Sequence, residues 1–414
     1  MNSFEVSLYL TSILALVFFV SKKAIGKGAS VKVLFVLLFL MVSPGLIMDV
    51  QNIYFWGKVG IGNITLFFIL LLTTASPWFA FDKWYKHTPA ITVTDKGANI
   101  LSTVFLVVII SCLFSYVYIF PYALRSFAMG AADTRSLVNS QESVMPATIF
   151  TTFAVGVSSI SPFYIFFFYL SWLHPRLRKY SFWLFICSFI YIVVSMPFMA
   201  RDGFVTLPVF YIIFYIIFKN SLERRDSNRV KRYFTVIVAI AGSLMLIYSI
   251  SRFFDNSSIS AGKYNKFISG TWGYLFQQPY VFDRTVIYQH DWHGVGLRFP
   301  ILSFLSDTPV EQVSRYQDYE TMFGTMLSEF YSIGGYWSLF VFTGVFILTY
   351  YFGLRILIRR KNYFSIFLFF ITYLMIEVTG LFYYRYGGIT FNYLFLVLTL
   401  LPFFLNEKII NVKK

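Results

Sequence analysis

The stretch SRFFDNSSISAGKYNKFISGTWGYLFQQPYVFDRTVIYQHDWHGVGLRFPILSFLSDTPVEQVSRYQDYETMFGTML, Ser251 to Leu327, decides how the chain is read. It is the one long segment that does not look like membrane, and it carries charges and aromatic rings throughout. On both sides of it the sequence falls into apolar runs of about 17–25 residues, the length that crosses about 30 Å of hydrocarbon. A chain that keeps its charges in one extramembrane segment is expected to do its chemistry there. The reading therefore turns on which face of the membrane that segment occupies.

Composition agrees. Of 414 residues, 57% are hydrophobic, 21% aromatic and only 13% charged, against about 25% charged in soluble proteins. The mean hydropathy is +0.67. Unbroken Leu/Ile/Phe/Val runs imply an all-α polytopic membrane protein and exclude a closed β-barrel, whose strands alternate. The formal charge of +15 reads as the cation excess of cytoplasmic loops, with no nucleic-acid partner. Cys112 and Cys187 both fall inside apolar runs and read as packing residues. The first run lacks a basic n-region and a small-residue cleavage site, so it is expected to be retained.

Working outward, eleven runs are expected to span: Phe4–Val20, Val33–Met48, Ile64–Phe81, Ile100–Phe120, Pro146–Leu173, Phe182–Met199, Phe204–Phe218, Phe234–Ile250, Gly335–Phe352, Phe364–Phe382 and Ile389–Leu405. Alternating them puts the N-terminus outside and the C-terminus in the cytoplasm. About 23 Lys/Arg then fall in inner loops and about 11 in outer ones, as the positive-inside rule requires. Residues 1–414 make a single integral membrane domain, and 251–327 is the one large external loop, between spans eight and nine. It is expected to fold down onto the membrane surface, with aromatics such as Trp272 and Tyr280 at the interface. Within it, Thr308, Pro309 and Glu311 match a capped helix start, and an apolar stripe breaks at Gly334-Gly335. Arg201-Asp202-Gly203 joins spans six and seven as a tight hairpin.

Nucleotide-binding loops, GxSxG and HExxH are all missing from the sequence. Any reaction must therefore draw on a substrate that is already activated, and no cofactor or metal is expected. His290 and His293 are three apart but lack further ligands at standard spacing. They, Asp291 and Glu329 are candidates for a general base. Arginines assigned to the outer face stand against the usual bias: Arg135, Arg201, Arg252, Arg284, Arg298, Arg315 and Arg385 among them. Guanidinium forks match phosphate oxygens bidentately, so the set points to a phosphate or diphosphate head group. Arg201, Arg284 and Arg298 are the foremost candidates, with Arg135 secondary. Asp202 beside Arg201, and Glu377 inside span ten, are ionisable groups within or against apolar runs, which mark a cavity or an internal partner. Trp272, Tyr280 and Trp292 suit stacking against sugar faces, and Tyr331 is a further substrate-binding candidate. Each of these residues also has a plain structural reading, as a lipid anchor, loop salt bridge or helix cap.

The carrying residues Thr321 to Gly335, with Gly294 to Leu305 before them and Arg201-Asp202-Gly203 opening span seven, resemble the bacterial O-antigen (oligosaccharide repeat-unit) polymerases of the Wzy type. The resemblance covers most of the chain as architecture and short patches as sequence. The acidic position before the glycine pair is often Asp in that family, where this chain has Glu329. An Arg-x10-Gly spacing of some members is not met from Arg284, because Val295 occupies the place. The resemblance implies a GT-C-like membrane glycosyltransferase on the periplasmic face of the bacterial inner membrane. Its partners would be undecaprenyl-diphosphate-linked glycans, the lipid bilayer and a possible chain-length regulator. A lipid-linked oligosaccharide flippase and an O-antigen ligase are the alternatives.

Overall fold

The computed structural model describes residues 3–25, 29–47, 60–88, 90–130, 134, 145–146, 148–198, 202–254, 272–273, 276–287, 325–382 and 389–412. Each of the eleven apolar runs is mostly helical where described. Among the described residues seven helices are long and apolar enough to cross a membrane, or eight when one bent pair is taken as a single span. Three further apolar helices are shorter. The protein is thus an all-α polytopic membrane protein. Helix is what hydrocarbon demands, because only there does each segment satisfy its own backbone.

The chain forms two compact units. One comprises Met1–His87, Ser257–Lys361 and Ser365–Leu405. It holds α1 (Ser3–Ile25), α2 (Lys32–Ile47), α3 (Ile61–Thr74) and α4 (Ser76–Tyr85). The other comprises Thr88–Asn256, Asn362–Phe364 and Asn406–Lys414. It holds α5 (Asp95–Met129), α6 (Ile149–Ser159), α7 (Ser161–Ser171), α8 (Ser181–Ser188), α9 (Ile190–Ser195), α10 (Asp202–Phe218) and α11 (Arg224–Phe254). The first unit is completed by α12 (Met326–Arg360), α13 (Tyr363–Phe382, its first residues aside) and α14 (Ile389–Phe404). α13 is buried along its whole apolar window, so the first unit is built around it. α5 instead leaves Val107, Ile110, Val117 and Leu124 exposed, a face that suits lipid and not water.

Three departures from straight spans have local causes. The run expected as one span over Pro146–Leu173 is two helices, α6 and α7, bent by 53° at Ile160, with Pro162 opening the second. α3 and α4 meet at Ala75, where Pro77 lacks the N–H that would continue the ladder. α12 breaks at Gly334-Gly335, where Gly335 takes φ 73°, a conformation glycine adopts without cost. The break falls where the sequence puts it. The eight residues before it, Met326–Ile333, are all buried.

In the second unit, segments assigned to the inner face by their cations touch one another. Strand β1 (Ile91–Val93) pairs antiparallel with β2 (Ile410–Val412), Ile91 opposite Val412. Lys96 Nζ is 2.8 Å from Glu407, and Asn362 Nδ2 donates to Glu407 O at 3.4 Å. His174 and Arg176 lie 3.4 and 3.6 Å from Asp95. Arg178 donates to the buried Asp226 of α11 at 2.5 Å. The strand pair was not anticipated from sequence, since two three-residue segments carry no usable period.

Arg178 holds a carboxylate that is 1% exposed. Removing one partner of such a pair costs about 3–5 kcal/mol, while replacing both by apolar groups is near neutral. Arg178→Ala should therefore lower the thermal unfolding midpoint in detergent sharply. The double variant Arg178→Met with Asp226→Leu should recover most of that loss.

Candidate functional site

The residues that bring the long segment onto the helices gather at the start of α3. Gln278–Val281 forms a helical turn that runs into a π-turn over Phe282–Val286, a wide geometry enriched at functional sites. Phe282 is buried, its ring 5.2 Å from Phe67 of α3 and 6.2 Å from Tyr331 of α12. Asp283, the next residue, is 0% exposed. Its Oδ2 accepts the Gly60 N–H at 2.7 Å and its Oδ1 accepts Asn63 Nδ2 at 2.8 Å. A carboxylate there meets the positive end of the α3 dipole and one of its free N–H groups.

The ring of contacts closes through α12. Tyr331 Oη donates to Ile287 O at 2.9 Å, and Tyr336 Oη donates to Asn63 Oδ1 at 3.3 Å. The two tyrosine rings stand edge-to-face at 5.2 Å. Gly60, Ile287, Tyr331 and Tyr336 come from segments that the charge count assigns to the outer face. Tyr280, just upstream, is bonded to Ser7 of α1 at 2.7 Å. Burial pushes its hydroxyl up to about 12 despite that bond, so it is a packing group and not a base at neutral pH.

Of the residues singled out from sequence, Arg284 lies within the π-turn, directly after the anchored Asp283. Its side chain, like that of Arg252 near the end of α11, lies outside the described part. Glu329 sits in the first turn of α12 and is 8% exposed, two residues before Tyr331. Thr325 caps that helix, accepting the Ser328 N–H at 3.3 Å. Glu329 is therefore helical, ahead of the break at Gly334-Gly335 and of the expected span that starts there. Trp272 donates its indole N–H to Ser43 of α2 at 2.8 Å and packs on Phe276 at 4.9 Å. Asp202 accepts from Tyr191 of α9. Gly203 lies so close to the Tyr191 ring that a Cβ there would come within 2.8 Å of it, so the start of α10 packs on α9, while Arg201 of the expected hairpin lies outside the described residues. Glu377 is bonded to Thr74 at 3.0 Å, at the α3–α4 junction. Arg135, Arg201, His290, Asp291, Trp292, His293, Arg298, Arg315 and Arg385, and the Thr308–Glu311 helix start, lie outside the described residues.

Sequence reasoning passed over Asp283 and Asn63. The usable signal was a polar residue at the mouth of an apolar run, in Gly60-Ile61-Gly62-Asn63. Nothing in the sequence names its partner 220 residues away. Among the described residues no group of three or more His, Cys, Asp or Glu gathers in metal-binding geometry. No protein-family model, curated protein or solved structure matches the chain.

Asp283→Ala would leave the Gly60 N–H and the Asn63 amide without their acceptor, each a loss of about 1–3 kcal/mol for a buried donor. The variant should unfold at lower temperature. In a double-mutant cycle with Asn63→Ala the two losses should be less than additive, because both remove one bond. Additive losses would break the assigned contact.

Proposed function

We propose that this protein is a membrane glycosyltransferase that polymerises lipid-diphosphate-linked oligosaccharide repeat units into a surface polysaccharide, at the periplasmic face of a bacterial inner membrane. What carries the reading is one contact. The turn bearing Arg284 closes onto the Glu329–Tyr331 stretch of α12, through the Tyr331–Ile287 bond and the Phe282–Tyr331 ring pair. These are two of the stretches that the sequence marks as chemical, and they meet on segments assigned to one face.

In the proposed reaction a hydroxyl of the acceptor glycan attacks the anomeric carbon of the donor glycan. The bond from that carbon to the donor's diphosphate breaks, and undecaprenyl diphosphate leaves. The hydroxyl proton passes to a base drawn from His290, His293, Asp291 or Glu329. Arg284 and Arg298 stabilise the charge that develops on the leaving diphosphate. Arg315, Arg385, Trp272, Trp292 and Tyr331 are assigned to the walls of the substrate site. Eleven spans with an outer N-terminus give this face to the long loop. The activated donor accounts for a sequence without nucleotide motifs. No chain-length regulator is needed for the chemical step, though one would act on the product.

Deleting the gene in its host and complementing it should separate the possibilities on a gel of surface glycans. Single exported repeat units without a ladder are expected. Repeat units trapped on the cytoplasmic leaflet would mean a flippase, and loss of capped single units as well would mean a ligase. Arg284→Ala at unchanged protein level should reduce polymer about a hundred- to thousand-fold, the loss seen for one charge-stabilising donor. Arg284→Lys should recover only part, because the planar fork is lost.

A further inference from the structure

Glu377 lies in α13, where the surrounding helices leave its side chain 0% exposed. One helical turn before it, the Tyr373 hydroxyl donates to Thr74 O at 2.9 Å. That carbonyl is free because the ladder is interrupted at the α3–α4 junction. Trp78 N–H bonds Ala75 O at 2.9 Å where a regular helix would use Thr74 O. Tyr373 and Glu377, four apart on one helix face, thus both reach the same interruption.

The proton inventory at this junction is short. Thr74 Oγ1 lies 2.9 Å from Leu71 O and 3.0 Å from Glu377 Oε1. A hydroxyl has one proton, a carbonyl has none and an ionised carboxylate has none. One proton therefore faces two acceptors. Glu377 Oε2 is buried and meets no hydrogen-bond donor among the described residues. None of the ion pairs formed by described residues includes Glu377. Among the described residues the titratable groups that face it are Tyr373 on its own helix and, behind that ring at 5.5 Å, Tyr350 of α12. Neither brings a positive charge. A bare carboxylate oxygen in such surroundings requires a positive centre.

We infer that Glu377 and the Thr74 hydroxyl form a binding site for one monovalent cation, a proton or a sodium ion, inside the first unit. One carboxylate balances one positive charge. A divalent ion would call for further acidic ligands, and no acidic cluster lies among the described residues. Carboxylate and hydroxyl oxygens are hard donors, which suits either ion and not a soft metal. Interrupted membrane helices recur at such sites, because the interruption releases backbone carbonyls toward the ion. The site is separate from the Asp283 cluster and needs no glycan chemistry to operate.

The test uses the full-length protein purified in detergent. Dicyclohexylcarbodiimide adds to a carboxyl group that carries its proton in apolar surroundings, and peptide mass spectrometry locates the adduct. Labelling of Glu377, with exposed Glu223 and Glu407 unlabelled, is the expected result. If sodium chloride suppresses that labelling and raises the thermal midpoint relative to choline chloride, the cation is sodium. If labelling responds to pH alone, it is the proton. Glu377→Gln should abolish the adduct, and Thr74→Val should weaken any sodium protection. Absence of the adduct from wild-type protein in both mildly acidic and mildly alkaline buffer, with no sodium effect on unfolding, would overturn the site. That result requires no variant to fold.

Discussion

In hydrocarbon a polar group without a partner costs several kcal/mol, and this constraint governs where Asp82, Asp283 and Asp226 sit. Two of them close helix beginnings in the first unit. Asp82 at the end of α4 accepts from Ser30 Oγ at 2.9 Å and from Val31 N at 2.7 Å, just ahead of α2. Trp78 Nε1 in turn donates to Ser30 Oγ at 2.8 Å. Asp283 does the same for α3, through Gly60 N and Asn63. The acid is placed where a helix offers N–H groups and a positive dipole end, so the cost of burying charge is offset by donors already present.

The second unit solves the same problem with a cation. Asp226 lies within the first turn of α11, beside Arg224 and Arg225, whose charges oppose the dipole at that end. Arg178, from the turn after α7, reaches Asp226 and lies 3.7 Å from Glu223. Inner-assigned loops are thereby tied together by ion pairs and by the β1–β2 pairing, in place of long apolar contacts. Those loops are rich in Lys and Arg, which repel one another unless acids are interleaved. Asp95, Glu223, Asp226 and Glu407 are those acids.

Seen this way, the long segment between α11 and α12 is more than a surface flap. Its described part is fastened at three points: Trp272 to α2, Tyr280 to α1, and Asp283 to the start of α3. Such fastening holds the π-turn in one place against α12. Arg284 follows directly on that anchored carboxylate. The buried rings of Phe282 and Tyr331 lie beside the bonds that do the fastening, and low local polarity strengthens such bonds.

The amino-acid order alone settled the helical, membrane-embedded class and the position of each apolar run, because hydrophobic length is a local property that needs no partner. It also marked the Gly334-Gly335 break, since two adjacent glycines have low helix propensity. Charge bias sorted the loops into two sets, and the contacts inside each unit join members of the same set. What the order could not supply was who meets whom. Asp283 and Asn63 are 220 residues apart, as Thr74 and Glu377 are 303 apart, and no periodicity links either pair. Such partners are selected by the need to satisfy buried polar atoms after the helices have packed, so only the tertiary structure decides them.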